Sequence, residues 1–339
     1  MANHKSQFAS ATHLYSVFFA PRGNTRMFAL GRQIAQQYLQ PEDQLIGIIG
    51  DAGSGKSVLV KGMFPGLELT NDDEGVNIRP LPIMDMIDDP LGMGMGMGML
   101  GSLSKRGMGL FATPHTYHLD IRFEQGFTQM SQIVAAVTGA LKKGKRVIVE
   151  HFDLLYPHLK TEDSDLCINA DLIVGVGAEV MVTRPSMFGP FPQDIADIAF
   201  RTIKYRKMVH TAEDLVGYYL EDDYYNDCDH WDVKNGFVLG FREKPQLTPQ
   251  QLEDLVKADI AKDLPVSFSD EGHIKIGNVE YYCTAPRNHV RRTSEIKGFT
   301  LMKEMPLDPI TGRYLLVGLV GQTGEVKLGD NIDKIKNIF

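Results

Sequence analysis

Short apolar runs alternate with segments of helical period along the first half of the chain. The pattern predicts strands around 14–19, 45–49 and 145–150, with helices over 27–39 and 127–142. Asn24 precedes the first helix and is a residue type that caps helices. Residues 116–123 alternate in polarity, which predicts another strand with His118, Asp120 and Arg122 on one face.

The second half of the chain follows a different pattern. Residues 171–183 predict one or two strands, which the prolines that follow them break. Further on, the spacing predicts a helix over 208–220 and strands around 279–282 and 314–320. At roughly 150 residues per domain, a chain of 339 residues suggests two domains. We therefore divide it into a first domain, a junction with short strands and a second domain, over 1–160, 161–204 and 205–339.

Residues 68–112 have no regular pattern and include the alternating run Gly92–Met99. Alternating glycine is too flexible to hold a strand or a helix without outside support. Two interpretations stay open. The segment is either a mobile surface insertion or an adaptable apolar patch for a partner or substrate, since methionine packs against varied shapes.

Charge and cysteine content narrow the class of protein. The net charge is −8 and the pI is near 5.7, which argues against broad non-specific nucleic-acid binding but leaves room for a local basic groove. Three cysteines are too few for a disulfide framework. The N-terminus lacks the order of a signal peptide, and no apolar run approaches the roughly 20 residues of a membrane span. We expect a soluble, cytoplasmic protein with no membrane partner.

The clearest chemical signal follows the predicted strand at 45–49. It is the full G-x-x-x-x-G-K-[ST] pattern in the strand-then-helix setting that it requires. The glycines let several backbone N–H groups converge on one anion, and the next helix adds its positive end. Lys56 would reach the β- and γ-phosphates, and the Ser57 hydroxyl would hold Mg²⁺. The alternative is a glycine-rich turn with no ligand. The predicted nucleotide-binding residues are Gly50, Asp51, Ala52, Gly53, Ser54, Gly55, Lys56, Ser57 and Val58.

A second strand, over 145–150, is an apolar run that ends in a carboxylate and has the form of a Walker B segment. The switch-point rule for open α/β sheets would place Glu150 near the phosphates. Asp153 is a nearby second acid. For both side chains, the alternative is a solvated carboxylate at the end of a strand.

Four stretches in this order resemble the TsaE family, small P-loop ATPases of the bacterial tRNA threonylcarbamoyladenosine pathway. They are LGRQIAQQ, IIGDAGSGKS, YHLDIRFE and VIVEHFD, and they span roughly 25–160. The resemblance implies an α/β P-loop NTPase domain that binds ATP with Mg²⁺, and protein partners of tRNA modification. It implies that Asp120 helps to hold Mg²⁺ and that Glu150 is the acid near the γ-phosphate. With Lys56, these are the predicted catalytic residues.

The chain departs from that family at two points. The family's SPTF-like switch segment has no clean counterpart, and His151 stands where a tryptophan follows the strand-end acid. We therefore expect ATP binding with weak or partner-regulated hydrolysis.

A second set of candidate ligands lies in the C-terminal half. His210 and Asp214 are four residues apart in a predicted helix and share one face. Cys283 and His289 follow a predicted strand far downstream. One helix with such a pair, and one loop with cysteine and histidine, make a tetrahedral Zn²⁺ donor set. The alternative is a polar helix face, plus a buried cysteine beside a surface histidine, with no metal.

Two neighbouring segments leave further alternatives open. The acidic segment 221–230 is either a solvated loop or the source of a substitute ligand, Cys228 or His230. Arg291 and Arg292, with Arg287, form either a solvated face or a contact to an RNA phosphate.

The C-terminal half resembles the second additional domain of alanyl- and threonyl-tRNA synthetases, which also occurs in free-standing editing proteins. The resemblance spans roughly 205–320 and rests on HTAEDL, LTPQQLEDLVKADIAKDLPV and YYCTAPRNHVRRTSEIKGF. It implies an α+β domain that hydrolyses mischarged aminoacyl-tRNA with Zn²⁺. Here Asp214 replaces the second helix histidine, and two extra residues separate Cys283 from His289.

Three functions follow from these expectations. The first is an ATP-driven protein of tRNA metabolism, in which the second domain recognises tRNA or aminoacyl-tRNA. The second is a metal-dependent hydrolase of aminoacyl-tRNA or amino-acid esters with a regulatory ATPase. The third is a non-catalytic nucleotide switch that uses the editing fold as a binding module.

Overall fold

The computed structural model describes residues 15–67, 69–70, 116–161, 164–185, 189–220, 227–270, 272–283 and 288–321. The run Gly92–Met99 and Arg287 lie outside these ranges, so the predictions made for them have no structural counterpart.

Eight short strands belong to the first part of the chain. They are β1 Tyr15–Phe19, β2 Leu45–Gly50, β3 Thr116–Asp120, β4 Arg146–Glu150, β5 Lys160–Thr161, β6 Ser164–Cys167, β7 Leu172–Val176 and β8 Glu179–Thr183. Six of them form one sheet in the order β1-β8-β7-β2-β4-β3, while β5 and β6 pair with each other. The four strands β3, β4, β2 and β7 are parallel, and β8 and β1 continue the sheet in antiparallel pairs.

Helices lie on both faces of this sheet. Within the described residues the α-helices are α1 Asn24–Tyr38, α2 Lys56–Met63, α3 Ile121–Glu124, α4 Met130–Lys142, α5 Phe152–Leu155, α6 Pro192–Tyr219 and α7 Pro249–Ala261. Along β2, Ile46 and Ile48 face α1 and α2, whereas Leu45 and Ile49 face α4, α5 and the start of α6. Because both faces are covered, every residue of β2 is buried, as is usual for a central parallel strand.

Helices α1 and α2 pack at backbone distance because each has a glycine at the contact. A Cβ built on Gly31 would lie 2.2 Å from the carbonyl oxygen of Leu59, and one built on Gly62 would lie 2.2 Å from that of Phe28. The contact fixes α2, and with it the loop that leads into α2, against the sheet.

Three details differ from the sequence-based predictions. Asn24 is the first residue of α1, and the N-cap position before it is occupied by Gly23, which makes no side-chain capping hydrogen bond. β3 ends at Asp120, where the chain turns into α3, so Arg122 does not share a strand face with His118. The strands predicted within the junction, now β7 and β8, complete the six-stranded sheet and belong to its core.

The second part packs around the C-terminal half of α6. Its strands are β9 Asp229–Val233, β10 Gly236–Phe241, β11 Val266–Asp270, β12 His273–Ile276, β13 Val279–Tyr282, β14 Thr300–Leu301 and β15 Tyr314–Leu319. They form two antiparallel sheets, in the orders β14-β15-β10-β9 and β11-β12-β13. One apolar cluster joins both sheets with α7 and the second half of α6.

Helix α6 therefore enters two cores. Ile195 and Ala199 pack under the six-stranded sheet, while Ala212 and Leu215 pack in the second part. The prediction of a helix over 208–220 gave only the C-terminal part of this 28-residue helix. The architecture is a mixed α/β one, compatible with an α/β domain followed by an α+β domain. No helix among the described residues is long and apolar enough to span a bilayer.

Candidate functional site

The loop between β2 and α2, residues 50–57, is the first candidate site and is called the glycine loop below. Gly53 and Gly55 have φ values of 74° and 90°, which side chains disfavour. A Cβ on Gly50 would lie 2.6 Å from the carbonyl oxygen of Val176 on β7. Glycine is thus required by backbone geometry at these three positions. Of the other predicted nucleotide-binding residues, Ala52 and Ser54 lie in the loop, and Val58 lies in α2 against the face of the sheet that α1 covers.

Lys56 is almost fully enclosed at the start of α2. Its side chain folds back over the loop, where Nζ donates to the carbonyl oxygen of Asp51 at 2.9 Å. Burial lowers the pKa of Lys56, and the charges of Glu150 and Asp120 act in the opposite direction. An ammonium group is thereby placed next to two carboxylates at the mouth of the loop.

Glu150 ends β4 in register with Ile48 on β2 and Asp120 on β3. The N–H of Thr70 donates to Nδ1 of His118 at 3.1 Å. Nδ1 is therefore an acceptor, which leaves the ring proton on Nε2 to be donated to Glu150 Oε1 at 3.1 Å. Burial by itself raises the pKa of Glu150, but the hydrogen bond from His118, the charge of Lys56 and a hydrogen bond with Ser57 bring it below the ordinary value.

Two further acids near the loop, Asp120 and Asp153, differ in their surroundings. Asp120 is buried, and its Oδ1 accepts from the N–H of Phe123, so that it caps α3. Asp153 lies in α5, where burial raises the pKa of its carboxyl group above the ordinary value. Asp120 lies beside Glu150 at the ends of adjacent parallel strands. The role in holding Mg²⁺ that the resemblance implies for it stays a prediction.

His151 is a site residue to which the sequence gave no role. It has φ 59°, in the left-handed region, directly after Glu150. Burial, Lys56 and Arg122 together lower its pKa to about 3, so the ring is neutral at physiological pH. Its buried Nδ1 has no hydrogen-bond partner among the described residues. A neutral imidazole, with one ring nitrogen available for a hydrogen bond, therefore lies at the end of β4 next to Glu150.

A second candidate site lies in the C-terminal part. One ligand atom from each of Asp214, Cys283 and His289 lies within 4.8 Å of the other two, and all three residues are buried. Nε2 of His289 is 2.7 Å from Oδ2 of Asp214 and 3.4 Å from Sγ of Cys283. Helix α6 supplies the aspartate, and the segment after β13 supplies the cysteine and the histidine. Three of the four predicted metal ligands therefore converge, and they are called the metal cluster below.

His210, the fourth predicted ligand, lies beside the metal cluster and not within it. Its ring centroid is 5.9 Å from that of His289, one turn of α6 before Asp214. The ring is buried, and neither nitrogen has a hydrogen-bond partner among the described residues. Burial and the charge of Arg206 hold its pKa well below the ordinary value, so the imidazole stays neutral. A neutral histidine is the form that ligates a metal.

The carboxylate of the metal cluster is held by an arginine from the first part of the chain. Arg22, in the turn before α1, donates to Oδ1 of Asp214 at 2.8 Å and lies 3.2 Å from Oε1 of Glu213. Burial would raise the pKa of Asp214, but Arg22 and His289 bring it below the ordinary value. Asp214 is thus ionised, with one oxygen towards Arg22 and the other towards His289. The sequence gave no sign of this contact, which joins residues 192 positions apart.

Cys228 and His230, the substitute ligands considered from the sequence, form a separate group. Sγ of Cys228 is 3.2 Å from Nε2 of His230, whose Nδ1 is 3.0 Å from Oε1 of Glu213. Burial and the charge of Glu213 raise the pKa of Cys228 to about 12, so the thiol is protonated. The exposed Arg292 pairs with Asp263, as expected of a solvated face.

Comparison with known proteins gives no family for this chain. No model of a known protein family matches it, and a search of curated proteins finds no match. The function is therefore inferred from the chemistry of the glycine loop and the metal cluster.

Proposed function

We propose that the chain binds ATP with Mg²⁺ at the glycine loop and hydrolyses it slowly or under the control of a partner. The observation that carries this proposal is the meeting of Lys56, Ser57 and Glu150 at the end of β2 and β4. Glycines at positive φ leave the backbone of the same loop able to surround a phosphate. A glycine-rich turn without a ligand needs neither a buried lysine nor an ionised acid beside it.

Each side chain has a distinct task in this proposal. Lys56 exchanges the carbonyl oxygen of Asp51 for oxygens of the β- and γ-phosphates. Ser57 and Asp120 would hold Mg²⁺, and the bound ion would supply positive charge to neutralise the phosphates. Glu150 remains ionised because His118 donates to it, so it can orient the attacking water and accept its proton. His151, which is neutral, lies next to this acid and adds a second polar contact for the water.

Substitution of Lys56 tests this function. We expect Lys56→Ala to lose ATP binding, measured with a fluorescent ATP analogue in the presence of Mg²⁺, while the circular dichroism of the protein stays unchanged. Lys61→Ala, on the same helix, is the matched control and should bind as the parent does. If Lys56→Ala binds ATP as tightly as the parent, the phosphate role of Lys56 is wrong.

A second candidate function is favoured by the metal cluster. Asp214, Cys283 and His289 offer oxygen, sulfur and nitrogen donors that all lie within 4.8 Å of one another, a donor set that suits Zn²⁺, and the buried ring of His210 lies beside them. When bound with an open position, Zn²⁺ supplies an activated water for hydrolysis. The resemblance to editing domains suggests an aminoacyl-tRNA or another amino-acid ester as the substrate. In the absence of activity, the same site would serve a binding module for tRNA.

Metal analysis and turnover separate these alternatives. We expect purified protein to contain about one Zn²⁺ per chain and Cys283→Ser to lose most of it. Cys167→Ser is the control cysteine and should keep the metal. Hydrolysis of aminoacyl-tRNA that disappears in Cys283→Ser would favour the hydrolase, whereas metal without hydrolysis would favour the binding module. ATP turnover that added tRNA does not change would count against an ATP-driven role in tRNA metabolism.

A further inference from the structure

Helix α6 carries one polar stripe that touches both candidate sites. Arg206, His210 and Asp214 are spaced four residues apart and so lie along one face of the helix. Arg206 is buried, and its Nη1 donates to the carbonyl oxygen of Ser54 in the glycine loop at 2.6 Å. Two turns further on, Asp214 belongs to the metal cluster. The same rigid helix thus holds a loop contact at one point and a metal ligand at the other.

A second connection runs through the turn before α1. Nη2 of Arg206 donates to the carbonyl oxygen of Pro21 at 2.9 Å, and the next residue, Arg22, donates to Oδ1 of Asp214 at 2.8 Å. Arg206 therefore fixes both the glycine loop and the backbone that positions Arg22. Both arginine side chains are buried, so neither changes partners without moving the groups that it contacts. For Arg206 these groups are the backbone carbonyls of Ser54 and Pro21, and for Arg22 they are the carboxylates of Asp214 and Glu213.

We propose that Arg22 and Arg206 are positioning residues through which ATP binding at the glycine loop strengthens metal binding at the metal cluster. This inference rests on both sites of the proposed function. A phosphate bound by the loop orders the backbone around Ser54, and Arg206 passes that order to Pro21 and Arg22. Arg22 then holds Asp214 with Oδ2 directed at His289 and Cys283, the orientation in which the carboxylate can ligate. A site that is ordered beforehand binds its metal at a smaller entropic cost.

Linkage is reciprocal, so bound metal must strengthen ATP binding by the same factor. Measured couplings of this kind are about 5- to 150-fold, and we expect a value within that range. The measurement is the dissociation constant of a fluorescent ATP analogue at saturating Mg²⁺, with free Zn²⁺ either buffered at a saturating level or removed by a chelator. The Zn²⁺ buffer prevents the nucleotide from depleting the metal.

The unsubstituted chain of 339 residues is the primary test. Tighter nucleotide binding in the presence of Zn²⁺ supports the linkage, and affinity that is unchanged or weaker overturns it. The outcomes also separate the two proposals. A chain that binds no ATP or no Zn²⁺ fails at the proposed function, whereas a chain that binds both independently fails at the linkage alone.

Two variants then locate the connection. Arg206→Lys keeps the charge but cannot donate to both Ser54 and Pro21 in the planar geometry of a guanidinium, and we expect it to bring the linkage close to 1-fold. Arg22→Lys tests the second connection in the same way, should Arg206→Lys fail to fold. Arg201→Lys is the matched control, because Arg201 is exposed on the same helix, and its linkage should equal that of the parent. If both variants retain the full linkage, these arginines do not carry it.

Discussion

Replacement of Arg22 should be among the most damaging changes to the stability of this protein. The guanidinium lies between Asp214 and Glu213, and the three side chains are only 6%, 0% and 2% exposed. Arg22→Met keeps much of the packing volume but leaves two carboxylates buried without their cation. Breaking a buried ion pair from one side costs about 3–5 kcal/mol, because the remaining charge is stripped of water without compensation.

The assay is urea unfolding with a chelator present, followed by the fluorescence of Trp231. That residue is the only tryptophan, and it lies in β9 next to Asp232, which pairs with Arg26 of α1. Arg292→Met is the control, because Arg292 and its partner Asp263 are about half exposed, and we expect little change there. The double variant Arg22→Met/Asp214→Asn should recover part of the loss, since one of the stranded charges is then absent.

Two results would refute this reasoning. A loss below about 1 kcal/mol in Arg22→Met would mean that water reaches the carboxylates and that the pair behaves as an exposed one. A double variant no more stable than Arg22→Met would mean that the loss comes from packing and not from the uncompensated charge of Asp214.

Two further predictions concern other parts of the fold. Gly62→Ala should lower the free energy of unfolding by about 1–3 kcal/mol, because its methyl group would meet the backbone of Phe28. The control Gly139→Ala in α4 has open space and should raise it by up to about 1 kcal/mol. Thermal unfolding of the two variants and the parent makes the comparison. Burial raises the pKa of Glu253, but Lys257 and the start of β14 donate to it and bring the pKa below its ordinary value. The stabilisation by Glu253 is therefore complete at a pH above the pKa that this carboxyl has in the unfolded chain. It is lost as the pH falls through the lower pKa that the carboxyl has in the folded protein. The parent should lose more stability than Glu253→Gln between about pH 6 and about pH 3, and parallel curves would contradict this.

The local features of the first site could be predicted from the sequence. A buried strand, glycines and a helix start are contiguous in 45–58, so the strand-then-helix prediction is confirmed by β2 and α2. The i,i+4 spacing of His210 and Asp214 likewise depends only on a helix, and the structure has one there. Residue type suggested Cys283 and His289 as further ligands and the resemblance supported them, but nothing in their spacing fixes how β13 packs against α6.

Two features were missed for identifiable reasons. Helix α6 begins at Pro192, and proline there was interpreted as a break, although proline fits the first turn of a helix. The C-terminal half of the helix buries polar side chains such as Arg206 and Glu213, which hide its hydrophobic period. The contacts of Arg22 and Arg206 join residues 192 and 152 positions apart, and no local pattern carries such information.

The shared helix also determines where this protein can be cut. A fragment that stops before residue 192 lacks the α6 side chains that cover part of one face of the six-stranded sheet. A fragment that starts at 205 begins in the middle of α6 and lacks about half of the helix. Neither fragment would therefore keep the packing that its half has in the 339-residue chain. The boundary between the two cores lies within helix α6. A change that tilts or frays this helix therefore disturbs the packing of both halves at once.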